Sequence, residues 1–170
     1  ASLKGMQKRV ITVGSASKEY RMIGWRVGWV VGPAMILADV ARVSITNVVC
    51  QTGIAMGAVA AAISSENDGI FESTKELEAR RDLILNQLKD FTVIPPHGGW
   101  SMLIDVSPLG LDGPTASDLL LRKGKIAATP MINWGGERCL NYVRIVYSNE
   151  SLDRLTDIGD RFHYAFEEKI

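Results

Sequence analysis

The chain has 170 residues, with 19 basic and 19 acidic side chains and therefore no formal net charge. A neutral balance gives no electrostatic basis for binding nucleic acid or an anionic membrane surface. Because 46% of the residues are hydrophobic, a chain of this length is able to bury a sizeable core.

The N-terminal part of the chain alternates between strand and helix patterns. Residues 9–14 and 26–31 are rich in β-branched side chains and predict two strands. The pattern of 34–44 is helical, and a break near 47–51 leads to a second helix over 52–64. The many alanines and glycines of that second helix predict close packing against another element.

A predicted turn at residues 67–69 precedes a long helix over 70–91, in which Leu77, Ile84 and Leu88 recur near helical spacing. The remaining pattern predicts four short strands and two helices. The strands are expected over 92–94, 99–106, 126–129 and 142–147, and the helices over 115–123 and 152–168.

These elements predict an α/β fold with three parts. Residues 1–69 are expected to form an α/β part and residues 70–91 a long helix. Residues 92–170 are expected to form a small C-terminal α+β domain.

The cysteines and histidines give no sign of a metal site. Cys50 and Cys139 are far apart and typical of reduced thiols in a cytoplasmic protein, with a disulfide as the unsupported alternative. His97 and His163 are isolated from each other and from both cysteines, so no zinc spacing exists. No uncharged apolar run is long enough for a membrane helix.

The most informative motif surrounds Lys18. It reads Ser15-Ala16-Ser17-Lys18, followed by Gly24-Trp25-Arg26-Val27-Gly28. A lysine amine attacks carbonyls when its surroundings activate it, and arginine offers a fixed fork of donors to phosphate oxygens. This spacing therefore suits a lysine bonded to an aldehyde cofactor and an arginine that holds the cofactor's phosphate.

The motif resembles the lysine signature of fold-type I pyridoxal-phosphate aminotransferases, class I/II. The resemblance implies that Lys18 forms the internal aldimine with pyridoxal 5'-phosphate and that Ser15 and Arg26 contact the phosphate. Ser17 is a weaker candidate for the same contact, and Ser15 has the alternative role of closing the turn. Arg21 departs from the family, which usually has a small residue there, so it either enters a local pocket or faces solvent.

The likeness continues towards the C-terminus. Residues 141–148 resemble the strand whose arginine clamps the substrate α-carboxylate, which assigns that role to Arg144. A structural ion pair with an acid is the alternative, because an arginine in an apolar strand needs an anionic partner. At 127–134 the family's glycine and aromatic positions carry Met131 and Trp134. Trp134 is expected to line the substrate pocket or to belong to the core.

Three further residues have weaker claims to a role in the site. Tyr20 and Trp25 flank the lysine motif and are expected in the core or the wall of the site. His97 precedes a glycine turn and is expected to form hydrogen bonds within that turn.

The implied activity is transfer of an amino group between an amino acid and a 2-oxo acid, with Lys18 moving the Cα proton as base and then acid. Two alternatives stay open. The same scaffold supports lyase, synthase and decarboxylase chemistry, and it also forms the effector domain of pyridoxal-phosphate transcription regulators.

Family members are substantially longer, and their N-terminal part carries residues that stack on and pair with the pyridine ring. We therefore expect this chain to be a C-terminal portion whose missing N-terminal part is a required partner. The resemblance also implies that residues 1–69 are the end of the large cofactor-binding domain and that residues 70–91 are the interdomain helix. Alone, the 170-residue chain is expected to be inactive. The whole protein is expected to be a homodimer, with amino acid and 2-oxo acid substrates and no nucleic-acid or membrane partner.

Overall fold

The computed structural model describes residues 2–66 and 68–169. The chain divides into two compact units, Ala1–Glu72 and Ser73–Ile170, and each is described by itself below. Of the turn predicted at 67–69, Asn67 lies outside the described residues. No helix in the described part of the chain is long and apolar enough to cross a membrane.

The first unit contains a two-stranded antiparallel sheet and three helices. The strands pair from Thr12 opposite Val31 to Ser15 opposite Gly28. Gly14 is required in this ladder, because a Cβ there would lie 2.2 Å from the indole nitrogen of Trp29. The elements are β1 (Thr12–Ser15), α1 (Ala16–Glu19), β2 (Gly28–Val31), α2 (Ala34–Val48) and α3 (Gly53–Ile63).

The first unit leaves much of its apolar surface exposed. No residue of α2 is buried, and α3 buries only Ala55 and Val59. A sheet of two strands has little stability alone and leaves both edges open to further strands. Exposed apolar side chains in this unit include Ile11, Val13, Val31, Met35, Val43, Ile45, Val49 and Ile54.

The second unit is built on a four-stranded antiparallel sheet. The strand order is β3-β4-β6-β5, so β6 lies between two neighbours. Most of α4 belongs to this unit, although its first turn lies before the boundary. The elements are α4 (Ile70–Gln87), β3 (Thr92–Ile94), β4 (Ser101–Asp105), α5 (Gly113–Arg122), β5 (Thr129–Pro130), β6 (Tyr142–Val146), α6 (Leu152–Leu155) and α7 (Ile158–Phe166).

The core of the second unit lies between one face of this sheet and the helices. Alternate residues of β4 and β6 are buried, because side chains of a strand point to opposite faces. An aromatic cluster belongs to this core, and in it the rings of Phe91 and Phe162 are 5.3 Å apart and edge-on. Burying each large apolar side chain contributes about 1.5–3 kcal/mol. The largest buried side chains are Tyr147, Phe162, Phe166, Ile84, Leu88, Met102 and Ile104.

Several predicted boundaries are wrong for identifiable reasons. The helix predicted over 70–91 ends at Gln87, since residues after Leu88 turn so that Phe91 joins the aromatic cluster. The strand predicted over 126–129 is reduced to Thr129–Pro130, because the amide of Ile126 still donates to Leu120 O at the end of α5.

Two other predicted helices also differ from the structure. The helix α5 starts at Gly113, two residues early, because the Asp112 carboxylate caps it by accepting from the Thr115 amide at 2.8 Å. Hydrogen bonds from the Thr115 side chain and from the Thr115 amide lower the pKa of Asp112. The helix predicted over 152–168 is broken after Leu155, where the Thr156 hydroxyl donates back to Asp153 O.

Arg80 of α4 holds the end of β6. Its side chain is buried, pairs with Glu76, and donates from Nη1 to the carbonyl oxygens of Tyr147 (3.3 Å) and Ser148 (2.5 Å). Both carbonyls directly follow β6. The guanidinium therefore satisfies backbone acceptors that the sheet leaves unpaired at this point.

Replacing Arg80 by Met should destabilise the second unit by about 1–3 kcal/mol, because two carbonyl groups lose a charged donor. The measurement is the urea unfolding midpoint followed by circular dichroism. Arg122→Met is the matched control, since that side chain is 76% exposed and pairs only with exposed Asp118. Its effect should stay within about 0.5 kcal/mol. Equal effects of the two substitutions would contradict a special role for Arg80.

Candidate functional site in the first unit and its counterpart in the second

The one-turn helix α1 places Lys18 directly after a capped N-terminus. The Ser15 side chain accepts a hydrogen bond from the Ser17 amide at 3.1 Å, which satisfies one donor of the first turn. The Ala16 amide donates to Val27 O at 3.1 Å and joins this turn to the residue before β2. Lys18 is exposed in the middle of the turn.

Arg26 is predicted to begin a strand, but in the structure it has a left-handed backbone conformation with φ +56°. It follows a 3₁₀ turn, Ile23–Trp25, and β2 starts only at Gly28. Side-chain hydrogen bonds accompany this conformation. Arg26 Nη1 donates to Ile23 O at 2.7 Å and to the more distant Ser17 Oγ at 3.2 Å. A left-handed non-glycine residue costs on the order of 1–3 kcal/mol and occurs preferentially at functional sites.

The predicted phosphate ligands therefore form one cluster. Ser15, Ser17 and Arg26 are linked by successive hydrogen bonds, and Lys18 is the next residue after Ser17. Hydroxyl and guanidinium donors joined in one cluster are a donor set that suits an anion with several oxygens. The sequence motif did not reveal the Ser17–Arg26 bond, which joins residues nine apart in the chain.

The other residues of this motif line the turn rather than a core. Arg21 is exposed, with φ +56°, and its amide donates to Lys18 O at 3.2 Å. Tyr20 is half-buried, and Trp25 is 45% exposed, so Trp25 is not a core residue within this unit.

Arg144 lies in the second unit, on β6. Its neighbours across the sheet are Leu103 of β4 and Thr129 of β5. Val143 and Ile145 on either side of it face the core, so Arg144 projects from the opposite face. No carboxylate among the described residues forms an ion pair with Arg144. Its buried Nε atom has no hydrogen-bond partner there.

Trp134 supplies the contact that Arg144 does make. The Arg144 Cζ atom lies over the indole ring, 4.6 Å from the ring centroid. Trp134 is 60% exposed and is therefore not a core residue of this unit. The sequence identified Trp134 as a candidate wall residue, but only the structure shows which charge it faces.

Other possible sites in the described chain lack comparable features. A cavity of about 330 Å³ beside Lys125 and Arg161 is lined by none of the predicted site residues. No group of three metal-ligating side chains occurs among residues 2–66 and 68–169. Cys50 and Cys139 are free thiols.

Comparison with known proteins gives the class to which this arrangement belongs. The model of the family "Aminotransferase class I and II" matches residues 1–158. Among solved structures, the aromatic aminotransferase of Pyrococcus horikoshii superposes with a TM-score of 0.89 and 29% identity, covering 99% of this chain and 46% of its own. The N-succinyldiaminopimelate aminotransferase of Mycobacterium tuberculosis superposes with a TM-score of 0.83 and 29% identity, over 97% of this chain and 44% of its own.

The chain belongs to the class I and II aminotransferase family, as its sequence predicted. It is 31% identical to the aspartate aminotransferase of Pyrococcus abyssi over 99% of this chain. It is 36% identical to the kynurenine–oxoglutarate transaminase 3 of Rattus norvegicus over 66% of this chain. The chain spans 44% and 27% of these two relatives, less than half of either length. The predicted α/β fold class of the C-terminal portion is confirmed.

Proposed function

We propose that the protein containing this chain is a pyridoxal-phosphate-dependent aminotransferase that exchanges an amino group between an amino acid and a 2-oxo acid. The observation that carries the proposal is the hydrogen-bonded cluster of Ser15, Ser17 and Arg26 directly beside Lys18. Family membership adds to it. On this proposal, the first unit is the end of the large domain and the second is the small domain.

The residues of the cluster fit the cofactor. A phosphate ester needs several donors around its oxygens, and two hydroxyls with one guanidinium supply them in a single hydrogen-bonded cluster. Ser15 and Arg26 would hold the phosphate, and Ser17 would orient Arg26. Lys18 Nζ would hold the cofactor's aldehyde carbon covalently. When bound, pyridoxal phosphate supplies an electron sink for the pair of electrons left at the substrate's Cα.

Two residues of the chain would carry out proton transfer and substrate binding. The substrate's amino group would displace Lys18 Nζ from the aldehyde carbon, and the freed amine would then take the proton from the substrate's Cα and deliver it to the cofactor, as general base and then acid. Arg144 binds the substrate α-carboxylate through the paired N–H groups of its guanidinium. The absence of an acidic partner for Arg144 among the described residues supports this role over a structural ion pair.

The partners of the chain are also part of the proposal. We infer that the exposed apolar side chains of the first unit, Val13 and Val31 among them, are covered in the whole protein. The two-stranded sheet has open edges, and the chain spans 44% of a relative, so we propose that the rest of the same polypeptide covers part of this surface. We propose that a homodimer partner covers another part. The cytoplasmic location stays a prediction.

In the full-length protein, Lys18→Ala should lower transamination by about 10²–10⁴-fold or more, because the proton-transfer group is lost. The measurement is the rate of 2-oxo acid formation from an amino acid donor. Lys8→Ala is the matched control, since Lys8 is an exposed lysine outside the cluster, and it should retain full activity. Undiminished turnover in Lys18→Ala would exclude Lys18 as the catalytic lysine.

Arg144→Ala should raise the KM for the amino acid by about 10- to 100-fold, since charge-assisted hydrogen bonds contribute about 1.5–3 kcal/mol. Retention of pyridoxal phosphate after dialysis should be unchanged. The control is Arg138→Ala, an exposed arginine of the same unit. Parallel losses of cofactor and of amino-acid binding in Arg144→Ala would argue that Arg144 supports the fold instead of the substrate.

A further inference from the structure

Arg144 and Trp134 form a cation–π contact, which leaves N–H groups of the guanidinium available for hydrogen bonds. The Arg144 Cζ atom lies over the face of the indole ring, 4.6 Å from the ring centroid. Tryptophan is the aromatic side chain that attracts a cation most strongly. The N–H groups that pair with a carboxylate lie in the guanidinium plane, so stacking on a face does not consume them.

Other polar groups do not fix the orientation of Arg144. Its Nε is buried and has no hydrogen-bond partner in the described part of the chain. Arginine in proteins is usually oriented by an acid or by carbonyl groups, as Arg80 is by Glu76 and two carbonyls. Among the described residues, Arg144 instead has its side chain in contact with the indole ring of Trp134.

The loop that carries Trp134 is itself attached to β6. The Trp134 amide donates to Met131 O at 2.9 Å, and the Met131 amide donates to Tyr142 O at 3.0 Å. Tyr142 lies two residues before Arg144 on the same strand. Gly135 lets the loop turn closely, because a Cβ there would lie 2.6 Å from Cys139 Sγ. The ring is thereby placed relative to the strand that bears the arginine.

We propose that Trp134 is a positioning residue, which stacks on Arg144 and presents the in-plane N–H groups of its guanidinium to the substrate carboxylate. This inference rests on the carboxylate-binding role proposed for Arg144. Trp134 acts through Arg144 and takes no part in proton transfer. Its loss should therefore weaken binding of carboxylate ligands and leave the cofactor in place.

The experiment uses the full-length enzyme with Trp134→Leu and Trp134→Phe. A cation–π contact of about 0.5–2 kcal/mol corresponds to about a 2- to 30-fold effect. Trp134→Leu should raise the KM for the amino acid within that range and change kcat little. The Kd of an unreactive carboxylic-acid analogue, measured by calorimetry, should rise by the same factor. Trp134→Phe keeps an aromatic face and should recover most of the affinity.

Tyr164→Leu serves as the matched control, because Tyr164 is an aromatic residue of the same unit that is 58% exposed. It should leave both constants unchanged. A double-mutant cycle tests the route of the effect, since residues that act through one another are not additive. In an Arg144→Ala background, Trp134→Leu should add no further loss of affinity.

The outcomes separate the two proposals. If Arg144→Ala itself leaves the KM and Kd unchanged, the carboxylate role proposed for Arg144 is wrong. If Arg144→Ala weakens binding but Trp134→Leu does not, Trp134 has no positioning role and the role of Arg144 stands. Equal losses in Trp134→Leu and Trp134→Phe, or full additivity with Arg144→Ala, would also overturn the positioning role.

Discussion

The hydrogen bond from Arg26 to Ser17 is the interaction on which the candidate cofactor site depends. It joins two points of the chain that are nine residues apart, and Lys18 lies just inside the loop that it closes. Arg26 adopts a left-handed backbone conformation to make it, at a cost of about 1–3 kcal/mol. The bond to Ile23 O and the capping bond of Ser15 offset that cost and fix the same turn. The strained residue is thus the one whose side chain is expected to hold the phosphate.

In the second unit, the residue proposed to bind the substrate carboxylate is Arg144, and its strand is held from both sides. Arg144 lies on β6, paired on both sides within the sheet, and Arg80 holds the end of that strand through two carbonyl groups. Sites built on paired strands are more precisely placed than sites on loops. The loop bearing Trp134 is the exception, and its backbone bonds tie it to the same strand.

Sequence patterns predicted strands and buried positions correctly where local signals and burial agree. The strand over 92–94 and the apolar stripe of Leu77, Ile84 and Leu88 follow from periodicity, and the latter two residues are buried as that pattern requires. The predictions failed where a long-range contact overrides local preference. Examples are the turn at Arg26, which depends on a side-chain bond, and Ile126, whose amide stays bonded to the preceding helix.

The candidate site shows the same division. The spacing of the motif predicts Lys18 and Arg26, and the resemblance to the family adds Ser15 and Arg144. The structure joins Ser15, Ser17 and Arg26 by hydrogen bonds. Their roles stay predictions. No sequence pattern indicated that Trp134 faces Arg144, because that contact depends on how a loop returns to a strand across a folded sheet.

Covalent attachment of the cofactor to Lys18 can be measured directly by reductive labelling. The full-length protein, loaded with pyridoxal phosphate, is treated with borohydride, digested and mapped by mass spectrometry. Because reduction makes an imine linkage permanent, we expect a phosphopyridoxyl group on the Lys18 peptide and none on that peptide in Lys18→Ala. Labelling of a different lysine in the unsubstituted protein, with Lys18 unmodified, would show that Lys18 is not the cofactor lysine.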